Sequence, residues 1–179
     1  MGYWGYFVVG RAERPLAELD ALAGAADMTL RVTAPDGWQV WEHPGGDGDV
    51  GNMNDLAAQT GAPALFGYVM DSDCVVVEAA APAGGAWTTC LVRAAMAGYL
   101  GAENEGLTLE DYFLEPRDAA ERAVAWAAEA GRTADAGELA DVLAADPADD
   151  AAPGAGPGTA PTAEDLFFRF LDRLGVVPL

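Results

Sequence analysis

The sequence contains no lysine, a single serine, a single histidine and two cysteines. Without lysine the chain has neither a Schiff-base nucleophile nor the lysine of a P-loop. Ser72 lies outside any Gly-x-Ser-x-Gly elbow, which excludes the hydrolases that use that motif. One histidine and two distant cysteines do not form a familiar zinc-ligand spacing. We therefore expect a non-enzymatic protein with no catalytic residues, no bound metal and no cofactor.

Positive charge is scarce as well. Nine arginines are the only basic residues, against 29 aspartates and glutamates, and the formal net charge is −20. A phosphate backbone or an anionic membrane surface would repel such a chain, so we expect neither direct nucleic-acid binding nor membrane binding. A basic protein would be attracted to it, and attracted quickly. An acidic surface that serves only solubility is the open alternative.

Long apolar runs are absent too. No stretch of the sequence approaches the roughly 20 apolar residues of a membrane span. The N-terminal segment lacks the basic region of a signal peptide. We therefore expect a cytoplasmic protein. In that reducing compartment Cys74 and Cys90 would stay free thiols, although a bridge between them is conceivable because we expect their strands to be neighbours.

Short segments rich in aromatic and β-branched residues predict strands. They cover residues 3–9, 28–32, 38–41, 64–70, 74–80 and 87–92. Pro35-Asp36-Gly37 and Asp71-Ser72-Asp73 have the composition of tight turns between strands. Between and after these segments, helix-start signals occur at Pro15, Asn52, Thr108, Pro116 or Asp118, and Thr133. This order predicts an α+β fold, with a mostly antiparallel sheet of about five to six strands and helices packed on one face.

Composition divides the chain into three parts. Residues 1–145 are expected to form a single α+β domain, in which the helical region 101–145 is acidic. Residues 146–161 are rich in proline, glycine and alanine, which is typical of a flexible linker. Residues 162–179 are expected to hold an amphipathic helix that begins at Thr162 and ends at Gly175. Its apolar stripe consists of Leu166, Phe167, Phe170, Leu171 and Leu174.

This C-terminal helix is too short to be stable alone in water, so it is expected to dock on a protein surface. Docking on its own domain is favoured, with exchange between two copies as the alternative. The sequence leaves the oligomeric state open.

The acidic residues concentrate in one region. Residues 101–150 carry 14 of the acids and 3 of the arginines, a net charge of −11 out of −20. This segment is the predicted contact surface for a basic protein. The candidate partner-binding residues are Glu103, Glu105, Glu110, Asp111, Glu115, Asp118 and Glu121.

Three weaker candidates for chemistry remain. His43 could act as a base beside one of the cysteines, but its spacing gives no support to that pairing. Asp47-Gly48-Asp49 begins like a calcium loop, but the EF-hand pattern fails at Gly51 and Ala58. Asp71 and Asp73 flank a turn, where aspartate is preferred for conformational reasons alone.

The aromatic residues form a further candidate site. They are Tyr3, Trp4, Tyr6, Phe7, Trp38, Trp41 and Trp87. Strand alternation puts Tyr3 and Phe7 on one face of the first strand, and Trp4 and Tyr6 on the other. Helices of the same chain are expected to cover this cluster; the alternative is an exposed surface of aromatic anchors for a partner.

These observations lead to one expectation and two alternatives. We expect an acidic protein that docks on a basic protein partner and neutralises it, such as an immunity protein or toxin inhibitor. The first alternative is a small-molecule-binding domain or enzyme with an aromatic-lined pocket on the sheet, with His43, Asp71 and Asp73 as polar groups. The second is an assembly subunit that docks through its C-terminal helix.

Overall fold

The computed structural model describes residues 2–25, 27–45, 50–101, 108–147 and 161–178. Its centre is a six-stranded sheet in the order β2-β3-β1-β4-β5-β6, in which every neighbouring pair is antiparallel. The strands are β1 (Gly5–Arg11), β2 (Thr29–Thr33), β3 (Trp38–Pro44), β4 (Ala64–Met70), β5 (Cys74–Ala81) and β6 (Gly85–Leu91). The predicted α+β class, the antiparallel pairing and the strand number are confirmed.

Five α-helices accompany the sheet in the described part of the chain. They are α1 (Met53–Thr60), α2 (Arg93–Gly101), α3 (Pro116–Glu129), α4 (Ala136–Ala144) and α5 (Ala163–Leu174). Single 3-10 turns occur at Leu16–Glu18, Asp20–Leu22, Pro35–Gly37 and Leu109–Asp111. The start signals at Pro15 and Thr108 thus produce only 3-10 turns, because no amphipathic run long enough for an α-helix follows them.

Helix α4 starts two residues later than the sequence suggested. The predicted cap was Thr133, but Asp135 occupies the cap position and its carboxylate accepts a hydrogen bond from the Glu138 N–H at 3.0 Å. Aspartate caps a helix at least as well as threonine, so the helix can begin at the later residue. Leu139, Val142 and Leu143 of α4 are buried.

Both faces of the sheet are covered, and they are covered differently. Phe7 and Val9 point to the first face, where α3, α4 and α5 provide the main layer of the core. Val8 points to the second face, where α1 and the 3-10 turns pack with Leu16 and Leu56. The sequence predicted the helical layer on one face of the sheet, but it did not predict the smaller layer on the other face. That cover is needed because consecutive residues of the central strands are apolar, as at Val8 and Val9, so both sides must be removed from water.

Helix α5 docks on the first face of the sheet through its apolar stripe. All five predicted stripe residues have no exposed side-chain surface. The helix starts with a reciprocal capping box between Thr162 and Asp165, and it ends at Gly175, whose φ of 85° suits glycine. Its first turn is held by Ser72, whose hydroxyl donates to Glu164 at 2.9 Å and whose carbonyl accepts from the Ala163 N–H at 3.1 Å. Most of the predicted linker falls on residues 148–160, outside the described residues.

Candidate functional site

Four of the predicted acidic residues lie around one cleft beside the edge strand β6. This acidic cleft has a volume of about 540 Å³, and Glu110, Asp111, Asp118 and Glu121 line it. Tyr112 stands among them with 45% of its surface exposed. It is one of three large hydrophobic residues that the described part of the chain leaves exposed. The cleft thus combines carboxylates and one arginine, Arg122, with an accessible aromatic ring of the kind that is enriched at protein interfaces.

The cleft is built on a segment fastened along the edge of β6. The Leu114 N–H donates to the Thr88 carbonyl at 3.0 Å. The Leu114 carbonyl accepts from the Thr89 hydroxyl and from the Arg93 guanidinium, each at 3.0 Å. Phe113 is buried in the core next to Tyr112. These bonds cover the outer edge of β6 and fix the positions of the acidic residues on either side.

The carboxylates on the two sides of the cleft differ in their partners. Oε1 of Glu110 lies 3.4 Å from Nη2 of Arg93, and Oδ2 of Asp111 accepts a hydrogen bond from the Thr108 N–H at 2.7 Å. The pKa of Glu110 is held below its ordinary value by hydrogen bonds and charge: first by the backbone N–H of Glu110 itself, then by the Thr108 hydroxyl and by Arg93. Asp118 and Glu121 are exposed on α3 and form no ion pair within the described residues. These two side chains are the ones free to meet an added positive charge.

The other three predicted residues are not placed in this cleft. Glu115 is exposed at the residue before α3 and does not line the cleft. Glu103 and Glu105 fall on residues 102–107, outside the described residues.

The predicted aromatic cluster is divided between the two faces of the sheet. Phe7, Trp38 and Trp87 are buried in the core under α3, α4 and α5, with Tyr3 packed against them. Trp4, Tyr6 and Trp41 lie on the second face; Trp41 pairs in register with Val8 at the border of the part that α1 and the 3-10 turns cover, and Tyr6 lies in the next row. There they meet residues that the sequence analysis had not grouped with them. We call Trp4, Tyr6, Trp41, His43, Tyr68 and Tyr99 the aromatic surface.

Ring contacts link five of the six residues of the aromatic surface, and the sixth, Trp41, lies in the adjoining row. Tyr6 stacks on Tyr68 with centroids 4.4 Å apart and lies 6.3 Å from the ring of His43. Trp4 lies 6.3 Å from Tyr68 and 6.5 Å from Tyr99, the latter edge-on. Trp4 is 40% exposed and the other five are half-buried. Strand alternation from Phe66 could have placed Tyr68 on this face, whereas no sequence signal placed Tyr99, which comes from α2.

The weaker candidates for chemistry have partners elsewhere in the chain. Asp71 accepts from the Gly2 N–H at 2.6 Å, and Asp73 accepts from the Tyr99 hydroxyl at 3.4 Å. Asp71 and Ser72 both have positive φ, as a tight hairpin turn requires. His43 belongs to the aromatic surface. Asp47 and Asp49 lie outside the described residues.

The two cysteines are buried free thiols, as predicted. Burial raises the pKa of Cys74 to about 12 and that of Cys90 to about 11, although Arg93 acts in the opposite direction on Cys90. A thiol must ionise before it reacts as a nucleophile, so these side chains are poorly reactive in the folded protein.

A cavity of about 770 Å³ lies near Arg11 and Arg14. Two of its polar side chains are already engaged: Gln59 accepts from the Ala21 N–H at 2.9 Å, and Thr60 donates to the Leu56 carbonyl at 3.0 Å. A ligand here would have to displace bonds that the fold uses.

Neither a metal site nor a membrane-spanning helix is found among the described residues. No cluster of three or more histidine, cysteine, aspartate or glutamate side chains is arranged to hold a metal ion there. No helix in the described ranges is long and apolar enough to cross a bilayer. Comparison of the whole chain with protein-family models, with curated proteins and with solved structures found no match.

Proposed function

We propose that the protein is a non-enzymatic binding protein that docks on a basic protein partner and neutralises it. An inhibitor of a basic toxin, of the immunity-protein kind and acting in the cytoplasm, is the form of this function that we favour. The observation that carries the proposal is the acidic cleft, in which Asp118 and Glu121 flank the exposed ring of Tyr112. The net charge of −20 would draw a basic partner towards the surface that holds this cleft.

The cleft suits a contact of stated chemistry. Aromatic rings and arginine are enriched where protein partners meet, and a carboxylate pairs with an arginine through two parallel hydrogen bonds. Because Asp118 and Glu121 are exposed, they stay hydrated until a partner arrives. They therefore contribute more to the rate of association than to the final affinity, and Tyr112 supplies the apolar anchor.

The two alternatives have less support. The assembly hypothesis relied on the apolar stripe of α5, which is buried in this chain's own core. The hypothesis of a small-molecule pocket on the sheet is favoured by one observation, the aromatic surface. Trp4 is 40% exposed, however, whereas small-molecule sites are concave and enclose most of their ligand.

The test compares two double variants with the same net charge. Asp118→Lys/Glu121→Lys reverses the charge of the two exposed carboxylates of the acidic cleft. Glu13→Lys/Asp20→Lys reverses the charge of two exposed acids near the 3-10 turns that pack on the second face of the sheet. The wild type, the control and the cleft variant are each used to capture proteins from a native lysate, and the captured proteins are identified by mass spectrometry. Those that bind the wild type and the control but not the cleft variant are purified. We expect a basic protein whose affinity for the cleft variant is at least ten-fold weaker than for the control.

The association rate gives the second readout. It should fall markedly as the salt concentration passes about 0.1 M, where surface charges are screened. Equal loss of the partner from both variants would show that only total charge matters. A captured partner that is acidic, or one that binds the cleft variant normally, would refute the proposal.

A further inference from the structure

The aromatic surface lies where the cover of the second sheet face ends. Across the strands, Val8 and Phe66 form a row buried under α1 and the turns at residues 16–22. In the next row along the same face, Tyr6 pairs in register with Tyr68 on one side and His43 on the other. Among the described residues, no helix buries these rings completely, and they are half-buried. The second face is therefore half core and half accessible surface.

The exposure of these rings sets them apart from the aromatic residues of the core. At most 1% of the surface of Trp38 and Trp126 is exposed to solvent, whereas 40% of the surface of Trp4 is exposed. The edge strand β2 adds Leu30, which is 43% exposed and pairs in register with Trp41. Two of the three exposed large hydrophobic residues in the described chain thus belong to or adjoin one surface. Contiguous apolar exposure of this kind is typical of an interaction site.

The charges beside the surface are negative. Asp73 accepts the hydrogen bond of Tyr99, and Glu78 pairs in register with Phe66 on the neighbouring strand. Both of these charged side chains are acidic. Aromatic platforms that stack nucleic-acid bases need basic residues along them to hold the phosphates, so this surface does not suit a nucleic acid. Ring faces carry negative electrostatic potential and attract cations placed above them.

We propose that the aromatic surface binds arginine side chains of an extended basic segment, with the guanidinium planes stacked on the rings. Asp73 at its margin supplies the opposite charge. Arginine suits the surface better than lysine because its planar cation stacks on aromatic faces and is more weakly hydrated. This inference rests on the proposed function, since it assigns a second contact for a basic partner, on a surface separate from the acidic cleft.

The probe is a capped hexapeptide of alternating arginine and glycine, titrated into the full-length protein by calorimetry. Two peptides of the same length serve as comparisons: one carries citrulline, which keeps the shape of arginine without its charge, and one carries lysine. We expect the arginine peptide to bind at least ten-fold more tightly than the citrulline peptide, and more tightly than the lysine peptide. No detectable binding of the arginine peptide, or equal binding of the citrulline peptide, would overturn the proposal.

Matched variants locate the binding site. Trp4→Ala and Tyr112→Ala each remove one exposed ring, the first from the aromatic surface and the second from the acidic cleft. Both rings are solvent-accessible, so both variants should fold, and their melting temperatures check this. Trp4→Ala should weaken the arginine peptide by about two- to five-fold, as expected for one lost cation–π contact. Tyr112→Ala reports any share of the binding that takes place in the acidic cleft, and it should weaken the peptide less than Trp4→Ala does.

The remaining outcomes separate this inference from the proposed function. If Tyr112→Ala weakens the peptide and Trp4→Ala does not, arginine binds in the acidic cleft; the inference then fails and the proposed function stands. If Trp4→Ala weakens the peptide but the cleft reversal leaves a captured partner bound, the proposed function of the cleft fails and this assignment stands. Binding of a neutral oligosaccharide such as cellohexaose in preference to the arginine peptide would overturn it in favour of a sugar-binding surface.

Discussion

Replacement of Gly67 by alanine tests how α5 docks on the sheet. Gly67 lies on β4 and faces Phe167, which is completely buried. A Cβ atom at Gly67 would lie 2.4 Å from Cε1, 2.7 Å from Cδ1 and 2.8 Å from Cζ of the Phe167 ring. Ordinary van der Waals contact begins at 3.4 Å, so the ring would have to move by about the difference of 1 Å. Phe7 and Phe168 hold that ring in place, with centroids 6.1 and 5.8 Å away.

The size of the effect follows from this overlap. Overpacking of a filled core costs about 1–3 kcal/mol. For a chain of this length each kcal/mol lowers the melting temperature by about 2–4 °C, so Gly67→Ala should lower it by roughly 2–12 °C. In an ordinary strand the same substitution would be neutral or stabilising, because alanine loses less backbone entropy than glycine. A loss of stability therefore points to the ring.

A double-mutant cycle isolates the contact. Phe167→Ala alone should cost about 3–5 kcal/mol through the cavity that it leaves. In the double variant the methyl group at residue 67 no longer meets a ring. The combined loss measured by urea unfolding should then be at least about 1 kcal/mol smaller than the sum of the single losses. Gly98→Ala is the control: this helical glycine has ordinary φ and no atom within 4 Å of an added Cβ, so alanine should stabilise the protein slightly.

Two results would refute the reasoning. If Gly67→Ala melts at the wild-type temperature, the ring of Phe167 does not pack against β4. If the effects of the two substitutions simply add, Gly67 and Phe167 are not in contact, and α5 docks in a different position.

Three further predictions concern single groups. Burial raises the pKa of Glu78, so the ionised carboxylate is disfavoured in the folded state. Glu78→Gln should therefore raise the melting temperature at pH 7 but not at about pH 3, where the carboxyl is protonated in both the folded and the unfolded state. An equal gain in melting temperature at both pH values would contradict this. Cys74 and Cys90 should react with a thiol reagent at pH 8 only after denaturant is added, and rapid native labelling would show that they are not buried. Thr162→Ala removes the cap of α5 and should cost about 1 kcal/mol in urea unfolding, whereas Thr162→Ser should retain stability; equal loss in both would exclude the hydroxyl as the cause.

Local signals in the sequence were sufficient for most elements. The strand 64–70 was predicted with the bounds that the structure has, because turn residues bracket a run of apolar and aromatic residues. Helix α5 was predicted with both ends, since a capping box, an apolar stripe and a C-terminal glycine all lie within a short segment. Such signals are properties of neighbouring residues, and they act before any tertiary contact forms.

The candidate sites required contacts between distant residues. The sequence marked an acidic region, but only the fold shows that Asp118 and Glu121 share a cleft with Tyr112 and that Arg93 has already paired with Glu110. Pairing between strands far apart in sequence had to be known before Tyr68 could be placed beside Tyr6. The long-range register therefore decides which rings meet.

Composition and local pattern determined the acidity of this protein, its fold class, its free thiols and its C-terminal helix. Tertiary structure alone decided that the aromatic residues divide between a buried face and an open one. Strand alternation assigns neighbouring residues to opposite faces of a sheet, but it does not say which helices will cover each face. In the described part of the chain three helices pack on the first face, while α1 and two short 3-10 turns cover only part of the second. The exposed rings of the aromatic surface are the part of that second face left without cover.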